Sequence, residues 1–202
     1  HAPSTAAVKV QLPLLGEFQV ENAVGAAAVG VALGVPLDTI ASRLSTVPQI
    51  PGRLERLGVS PAVLRDYAHT PDALERALQS VRPFARGKVI VVFGAGGDRD
   101  RGKRPEMGRV AAALADVCVV TSDNPRTEDP AQILDDIVAG MPGISVLREE
   151  DRRLAIAHAI ALAGPDDLVL LAGKGHETYQ IRGTTPFPFD EAKIVAELTL
   201  GR

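Results

Sequence analysis

From residue 62 onward, short continuous runs of apolar residues alternate with longer amphipathic segments. The apolar runs predict buried strands at residues 62–66, 88–93, 117–120, 144–147 and 168–171. The amphipathic segments predict helices at residues 71–81, 105–114, 131–141, 151–162 and 190–198, and two short strands are expected within 178–189. This alternation predicts an α/β fold, a Rossmann-like and mostly parallel sheet with helices on both faces.

The first 50 residues follow a different pattern. Residues 8–12 predict a short strand, residues 21–33 a buried helix ending at Gly34, and residues 37–44 a second helix opened by Pro36. Two prolines and a glycine within residues 48–52 predict a domain boundary, which divides the chain into residues 1–50 and 51–202. Because 50 residues are too few to bury a core, we expect the tail of another domain or a helical pair packed on the second half.

Bulk composition narrows the function classes. The net charge of −3 over 202 residues gives no indication of binding to nucleic acid or to an anionic membrane. The single cysteine, Cys118, excludes an internal disulfide, and we expect it to be buried in a reducing, cytoplasmic protein. No apolar stretch approaches the ~20 residues of a membrane helix. Residues 1–7 do not resemble a signal peptide, and His1 in place of Met suggests a missing or processed N-terminus.

The first candidate site is the loop at residues 122–130, SDNPRTEDP, directly after a predicted strand. Ligands bind open α/β sheets at the carboxyl ends of the strands, which is where this loop begins. Arg126 has a planar set of donors suited to a carboxylate, and Asp123 is an acceptor suited to an ammonium. Pro125 stiffens the loop, and Asn124 adds an amide. The loop therefore suits a zwitterion such as an amino acid, or it is an ordinary turn with Asp123 capping a helix and Arg126 solvated.

Three other loops also follow predicted strands. In residues 66–73, Thr70 and Pro71 are explained as a helix start, whereas Asp66 could accept ribose hydroxyls. His69 could donate to a nucleotide or simply pair with Asp66. In residues 173–177, GKGHE, two glycines permit close approach to a ligand, and His176 with Glu177 are too few for a metal site.

The loop at residues 94–104 is rich in glycine and charge. It fails the dinucleotide pattern because Arg99 replaces the third glycine, and it fails the phosphate-loop pattern because Arg104 follows Gly102-Lys103. Four cations here suit an anionic ligand or carboxylate, although a solvated, self-paired charge cluster would give the same composition.

Together these loops resemble the carboxy-terminal part of the Mur ligase family, in particular its MurE type, which adds diaminopimelate. The resemblance rests on six stretches in the family's order: GEFQVENAVGAAA (16–28), GRLE (52–55), DYAHTPDAL (66–74), FGAGGDRDRGKRPEMG (93–108), DNPRTEDP (123–130) and AGKGHETYQ (172–180). DNPR is the family's diaminopimelate signature, and relatives that add lysine lack its arginine.

The resemblance implies a role for most of these loops. The positions that would hold meso-diaminopimelate are Arg99, Asp123, Asn124, Pro125, Arg126, Gly173 and Glu177. The positions that would touch ATP are Asn22, Arg53, Asp66 and His69. Lys174 and His176 lie in the motif without an implied contact, and no catalytic or metal-binding residue is implied within the chain.

The family's chemistry is ATP-dependent amide formation. ATP phosphorylates the D-Glu carboxylate of UDP-N-acetylmuramoyl-L-Ala-D-Glu, and the amine of diaminopimelate then displaces phosphate. The family's glycine-rich ATP loop, its Mg²⁺ ligands and its carbamylated lysine belong to a central domain and are absent from this sequence. We therefore expect a fragment inactive alone and monomeric, with residues 1–50 as the tail of that central domain. Phe18-Gln19 departs from the usual Phe-Asn or His-Asn, which weakens the nucleotide assignment.

Three other functions compete with a diaminopimelate-adding ligase. A nucleotide-dependent oxidoreductase would need a third glycine in the loop at residues 94–104 and an acidic residue about 20 positions on. Arg99 replaces that glycine, and Ser122-Asp123 opens a loop rather than ending a strand. A non-catalytic amino-acid-binding module is compatible with the chain. A sister ligase that adds lysine or a dipeptide is disfavoured by Arg126.

Overall fold

A computed structural model of the protein describes residues 7–200. The chain divides into two units, residues 1–50 and residues 51–202. The division falls at the proline-rich break that follows the second helix. Within the described residues, no helix is both long enough and apolar enough to cross a membrane.

The described part of the first unit contains two helices, α1 (Glu17–Ala32) and α2 (Leu37–Ser45). The strand predicted at residues 8–12 is absent, because the described residues of this unit offer it no partner strand. The prediction of a buried helix was also wrong. Among the described residues of α1 only Gln19 is buried, and Val24 is 63% exposed. Helix α1 is apolar on several sides, and within this unit α2 can cover only one of them.

The second unit contains a six-stranded sheet in the order β1-β2-β6-β3-β4-β5. Its strands are β1 (Glu55–Val59), β2 (Ala62–Asp66), β3 (Val89–Phe93), β4 (Val117–Val120), β5 (Val146–Arg148) and β6 (Leu168–Ala172). Strand β1 pairs antiparallel with β2, and the remaining neighbours are parallel. The predicted α/β fold with a mostly parallel sheet is confirmed.

Within the described residues, five α-helices pack against this sheet, and a hairpin extends from it. The helices are α3 (Pro71–Val81), α4 (Lys103–Leu114), α5 (Pro130–Val138), α6 (Arg152–Leu162) and α7 (Glu191–Thr199). Strands β7 (Tyr179–Arg182) and β8 (Thr185–Pro188) form the hairpin. Helices α6 and α7 pack on alternate strand residues such as Ile90, Val92 and Val169. Buried residues of α3, α4 and α5, for example Leu78 and Met107, belong to the rest of the core.

Strand β1 is the main element that the sequence did not predict. Its residues, ERLGV, mix charge and glycine and therefore lack the apolar run of a buried strand. It is an edge strand with a register shift between Arg56 and Gly58, and such positions tolerate polar residues. Most other boundaries differ from prediction by one to three residues. Because β2, β3, β4 and β6 are parallel, the loops after them meet at one edge of the sheet.

Candidate functional site

The loop after β3 and the loop after β4 are interlocked. The Gly97 N–H donates to the Asn124 carbonyl at 2.9 Å. A Cβ added at Gly97 would lie 1.9 Å from the Pro125 oxygen, and one added at Gly94 would lie 2.1 Å from the Thr121 oxygen. These glycines are therefore needed for close backbone packing between the two loops, which accounts for them without a bound anion.

Arg126 is anchored at this junction. Its backbone has φ 53°, and its N–H donates to the Ile181 carbonyl at 3.1 Å. Its side chain is half-buried, and Nη1 donates to the Gly97 carbonyl at 2.8 Å. Among the described residues, Nε and Nη2 have no hydrogen-bond partner. The interpretation as an ordinary turn with a solvated arginine is therefore wrong, and the residue that caps α5 is Asp129 rather than Asp123.

A cavity of about 440 Å³ opens beside Arg126. Arg182, whose backbone forms an isolated bridge with Arg126, lines the same cavity. Acidic residues complete much of its wall: Glu128, Glu149, Glu150 and Asp151. Guanidinium and carboxylate groups facing one space suit a ligand that carries both charges.

Lys174 lies at the centre of the site, although the sequence assigned it no contact. Its side chain is fully buried. Nζ donates to the Tyr179 carbonyl at 2.8 Å, to Asn124 Oδ1 at 3.0 Å and to Glu177 Oε2 at 3.4 Å. Asp123 Oδ1 lies 3.4 Å from the same nitrogen. Lys174 thus joins three of the residues predicted to hold the amino acid.

Two of these partners retain unused hydrogen-bonding capacity. Asn124 Nδ2 donates to Glu177 Oε2 at 3.0 Å, which leaves its second N–H without a partner among the described residues. Asp123 Oδ1 is buried and accepts no hydrogen bond within residues 7–200. Gly173 lies against the same carboxylate, since a Cβ added there would be 3.9 Å from Asp123 Oδ2. A buried acceptor without a hydrogen bond is costly. Asp123 Oδ1 has only the ion pair with Lys174 at 3.4 Å, so a ligand ammonium would supply the missing hydrogen bond.

Arg99 and Arg126 both lie beside Gly96. A Cβ added at Gly96 would be 3.7 Å from Arg99 Cγ and 2.9 Å from Arg126 Nη1. Arg99 itself is exposed, and among the described residues it donates only to the carbonyl of its neighbour, Asp98. Its guanidinium is therefore free to turn toward a ligand.

Two other cations of this loop are bound to acids outside it. Arg104 is fully buried and donates to Glu128 and Asp136, each at 2.8 Å, and Arg101 pairs with Glu128 at 2.9 Å. The hydrogen bond from Arg104 is the largest cause that lowers the pKa of Glu128 to about 2. The expectation that all four cations face an anion is therefore wrong for Arg101 and Arg104, whose role is to tie the two loops together.

The fourth cation, Lys103, connects the loop after β3 with the loop after β2. Its Nζ donates to the His69 carbonyl at 2.9 Å. Burial is the main cause that lowers the pKa of Lys103, and the nearby carboxylates of Asp123 and Asp100 oppose it.

The predicted nucleotide side lies at the end of β2. Asp66 accepts the N–H groups of Leu54 and Ala68, both at 2.9 Å, and burial raises the pKa of Asp66 against those hydrogen bonds. His69 does not pair with Asp66. Its Nδ1 donates to the Tyr67 carbonyl at 2.9 Å, and its ring meets the Tyr67 ring at 4.7 Å.

Exposed groups surround the Tyr67 ring. The Arg53 guanidinium lies 5.3 Å from the ring centroid, and the His176 ring stacks on it at 6.0 Å. Asn22, the other predicted nucleotide contact, lies in the first unit and donates to Gln19 Oε1 at 3.3 Å. Gln19, which stands where the family usually has Asn, is therefore the residue that accepts this hydrogen bond. No group of three His, Cys, Asp or Glu side chains within the described residues could hold a metal ion.

Comparison with known proteins gives concordant matches. The family described as "Mur ligase, glutamate ligase domain" matches residues 52–175. Two relatives are named UDP-N-acetylmuramoyl-L-alanyl-D-glutamate–2,6-diaminopimelate ligase, one from Thermosynechococcus vestitus and one from Gloeobacter violaceus. Each is 54% identical to this chain, over 184 and 189 residues respectively. The matches cover 89% and 92% of this chain but only 37% and 39% of those proteins.

Two solved structures extend this similarity. A structure of UDP-N-acetylmuramoyl-L-alanyl-D-glutamate–2,6-diaminopimelate ligase matches 95% of this chain and 40% of its own, with a TM-score of 0.75 and 38% identity. Mycobacterium tuberculosis folylpolyglutamate synthase, solved with ADP and AMPPCP, matches 96% of this chain and 42% of its own, with a TM-score of 0.67 and 27% identity. The chain thus spans about two fifths of the length of these relatives.

Proposed function

Since the chain belongs to the Mur ligase family, whose glutamate ligase domain matches residues 52–175, we propose that it is part of an ATP-dependent ligase of peptidoglycan synthesis. This ligase joins meso-diaminopimelate to UDP-N-acetylmuramoyl-L-Ala-D-Glu. The chain contributes the amino-acid site and one side of the ATP site. Residues 1–50 act as the tail of the central, ATP-binding domain, and the chain is inactive without that domain.

The observation that carries this proposal is the half-buried Arg126, which lies in the same loop as a buried Asp123 oxygen that accepts no hydrogen bond within residues 7–200. Diaminopimelate differs from lysine by a second carboxylate, so its selection requires a cation at that end. Arg126 has two unused donor nitrogens there, Nε and Nη2, and Arg99 lies beside the same glycine, Gly96. A charged hydrogen bond contributes roughly 1.5–3 kcal/mol, so an unmatched Arg126 discriminates strongly against lysine.

An ammonium of the ligand fits beside the carboxylates of Asp123 and Glu177. Asp123 Oδ1 and Glu177 supply negative charge, and Gly173 leaves room for the ligand to approach Asp123. The free N–H of Asn124 suits a ligand carboxylate. Pro125 holds these residues in place through its contact with Gly97. Together these groups match the ammonium and carboxylate groups that meso-diaminopimelate carries at its ends.

ATP is assigned to the edge formed by Tyr67 and its neighbours. The exposed guanidinium of Arg53 suits a phosphate, and His69 with the Tyr67 ring suits a nucleobase or ribose. Asp66 can accept a ribose hydroxyl only through lone pairs not already used by Leu54 and Ala68. Asn22 is the contact expected from the first unit. Mg²⁺ accompanies ATP in the proposal, with ligands from outside this chain.

In this mechanism the γ-phosphoryl group of ATP passes to the D-Glu carboxylate and ADP is released. The ligand amine then attacks the carbonyl carbon of the acyl phosphate. The nitrogen–carbon bond forms, phosphate leaves, and the amine loses a proton. This chain's residues bind and orient the amine, because Arg126 fixes one end of diaminopimelate while Asp123 and Glu177 hold the other. We propose that the protein works in the cytoplasm as a monomer that binds neither nucleic acid nor membrane.

Calorimetric titration of the 202-residue chain tests the amino-acid assignment. We expect binding of meso-diaminopimelate, at least about 10-fold weaker binding of L-lysine, and separate, weak binding of ATP. Equal affinity for lysine and diaminopimelate would contradict the role of Arg126.

Amide formation separates the ligase from a non-catalytic amino-acid-binding module. The chain is joined to the upstream domains of the Thermosynechococcus vestitus ligase and supplied with ATP, Mg²⁺ and UDP-N-acetylmuramoyl-L-Ala-D-Glu. The ligase proposal predicts a diaminopimelate amide product and release of phosphate. A fusion that folds and binds diaminopimelate but forms no amide would support the module instead.

A further inference from the structure

Lys174 is the one residue of the central cluster that the proposed function does not use. Its ammonium is fully buried among Asp123, Asn124 and Glu177. We propose that Lys174 is a positioning residue, which fixes how these three side chains meet the amino acid without touching it. This inference rests on the proposed function.

The local sequence forces this side chain inward. Gly173 and Gly175 have φ values of 114° and 54°, which favour glycine. Both of their N–H groups donate to the Asp66 carbonyl, at 3.1 and 3.3 Å. A Cβ at Gly175 would lie 2.7 Å from Tyr67 Cβ. The glycines therefore tie the loop to the end of β2 and leave Lys174 directed into the interior.

All three donors of the ammonium are used within the protein. Its acceptors are the Tyr179 carbonyl, Asn124 Oδ1 and Glu177 Oε2. A buried charge is tolerated when it is paired and hydrogen-bonded in this way. Because no N–H remains free, Lys174 acts on a ligand only through its partners.

The first consequence is a single orientation of the Asn124 amide. Its Oδ1 accepts from Lys174 Nζ at 3.0 Å and from the Ile181 N–H at 2.9 Å, so the oxygen must face these donors. Nδ2 then faces Glu177 and keeps one N–H for the ligand. Without Lys174, the Asn124 oxygen loses one of its two hydrogen-bond donors and the amide is less firmly oriented.

The second consequence concerns charge. Lys174 offsets one of the two negative charges of Asp123 and Glu177, which leaves a net charge of about −1 on these three groups before a ligand binds. One ligand ammonium completes the balance. If Lys174 were neutral, this cation would no longer offset the like charges of Asp123 and Glu177, both of which lie 3.4 Å from its ammonium.

Lys174→Met tests the proposal, because methionine is similar in length and neutral. Calorimetry below the unfolding temperature should show a loss of meso-diaminopimelate affinity of at least about tenfold, with ATP affinity unchanged. In the double variant Lys174→Met/Glu177→Gln, the loss of binding free energy for diaminopimelate should be smaller than the sum of the losses in the two single variants. The reason is that both changes disrupt the same contact.

Two matched controls separate positioning from other effects. Lys88→Met makes the same chemical change at an exposed lysine on the opposite edge of the sheet. Leu78→Ala destabilises the core of α3 without altering the cluster. Both variants should keep diaminopimelate affinity within about twofold of the unaltered chain. If loss of any lysine charge or any loss of stability weakened binding, these variants would lose affinity as well.

The outcomes distinguish this inference from the proposed function. If the unaltered chain binds diaminopimelate and Lys174→Met binds it equally well, the positioning role is overturned and the proposed function stands. If Leu78→Ala loses as much affinity as Lys174→Met, the positioning role is also overturned. If the unaltered chain does not bind diaminopimelate, both are overturned.

A measurement on the unaltered chain covers the case in which Lys174→Met does not fold. Nitrogen-15 NMR observes the ammonium groups of buried lysines directly. Diaminopimelate should shift the Lys174 signal by altering its bonds to Asp123 and Glu177, whereas ATP should not. An unchanged signal at saturating diaminopimelate would contradict the proposal.

Discussion

Charged side chains are held in opposite ways at the two ends of the same sheet edge. Around Asn124, the charges of Lys174 and Asp123 are buried and the groups bond to one another. Around Tyr67, Arg53 and His69 are exposed and rest on an aromatic ring. The first end is organised before a ligand arrives, whereas the second presents an open surface. Changes at the first should therefore be large and ligand-specific, and changes at the second small and dependent on salt.

The largest effect is expected for Arg126→Ala. Diaminopimelate affinity should fall about 100-fold or more, because a site built for a polar group depends on that contact. Affinity for ATP should not change, and calorimetry with both ligands measures the split. Alanine keeps the Cβ, so the backbone strain at φ 53° is the same in both proteins.

Arg153→Ala is the matched control, because Arg153 pairs with Glu197 on the exposed surface. It should leave both affinities unchanged. Parallel losses of diaminopimelate and ATP binding in Arg126→Ala would indicate misfolding or a different role for the residue.

The interlocking of the two loops can be broken at Gly97. In Gly97→Ala the new Cβ would clash with the Pro125 carbonyl, and overpacking of this kind costs about 1–3 kcal/mol. Urea unfolding should show that loss, together with weaker diaminopimelate binding. Gly164→Ala, whose Cβ would meet only the Asp167 side chain at 3.5 Å, is the control and should be nearly neutral. A Gly97→Ala protein as stable as the control would mean that the loops are not interlocked.

Acid should weaken the same junction through Glu128. The hydrogen bond from Arg104 holds its pKa at about 2, below the ordinary 4.5. A lowered pKa stabilises the folded state above pH 4.5, and that contribution is lost as the pH falls toward 2. Urea unfolding at several pH values should show that Glu128→Gln flattens this acid-dependent loss by on the order of 1 kcal/mol.

The control for this pH dependence is Glu197→Gln, which removes a carboxylate from an exposed ion pair. It should leave the acid limb close to that of the unaltered protein. An unaltered acid limb in Glu128→Gln would show that other carboxylates govern stability in this range.

The smallest effect is expected at the open end. Arg53→Ala should weaken ATP binding about two- to fivefold at low salt and less at high salt, because exposed charges contribute little and are screened. Diaminopimelate binding should not change. Arg86→Ala, at an exposed arginine on the opposite edge, should affect neither ligand. A large, salt-independent loss in Arg53→Ala would mean that this end is as organised as the other.

The sequence predicted the buried strands well because their apolar runs are continuous. It placed Ala62–Asp66 and Val117–Val120 correctly to the residue. It missed Glu55–Val59, where charge and glycine hide an edge strand. It also predicted a strand at residues 8–12 from local pattern alone, although a strand needs a partner that local pattern cannot supply.

The site was predicted as a set of loops but not as a set of contacts. The rule for parallel strands brought the Asp123 and Gly173 loops together, and Lys174 confirms that they meet. The rule could not show that Lys174 is buried, because a lysine next to glycine more often suggests an exposed, phosphate-binding group. The signal in the sequence is the pair of glycines that flank Lys174, and the structure shows that both have positive φ.

The glycines of the loop after β3 teach a related lesson. In the sequence they suggested an anion site, whereas Gly94 and Gly97 make room for the neighbouring backbone. Composition cannot distinguish a glycine that admits a ligand from one that admits another loop. Only the distance to the Pro125 and Thr121 oxygens decides between them.

The most direct test of the central claim is a crystal structure of this chain with meso-diaminopimelate. We predict that a ligand carboxylate lies within about 3.2 Å of Arg126 Nε or Nη2, with a ligand ammonium against Asp123 Oδ1 and Glu177. A ligand bound away from Arg126, with that guanidinium still contacting only protein and solvent, would contradict the account.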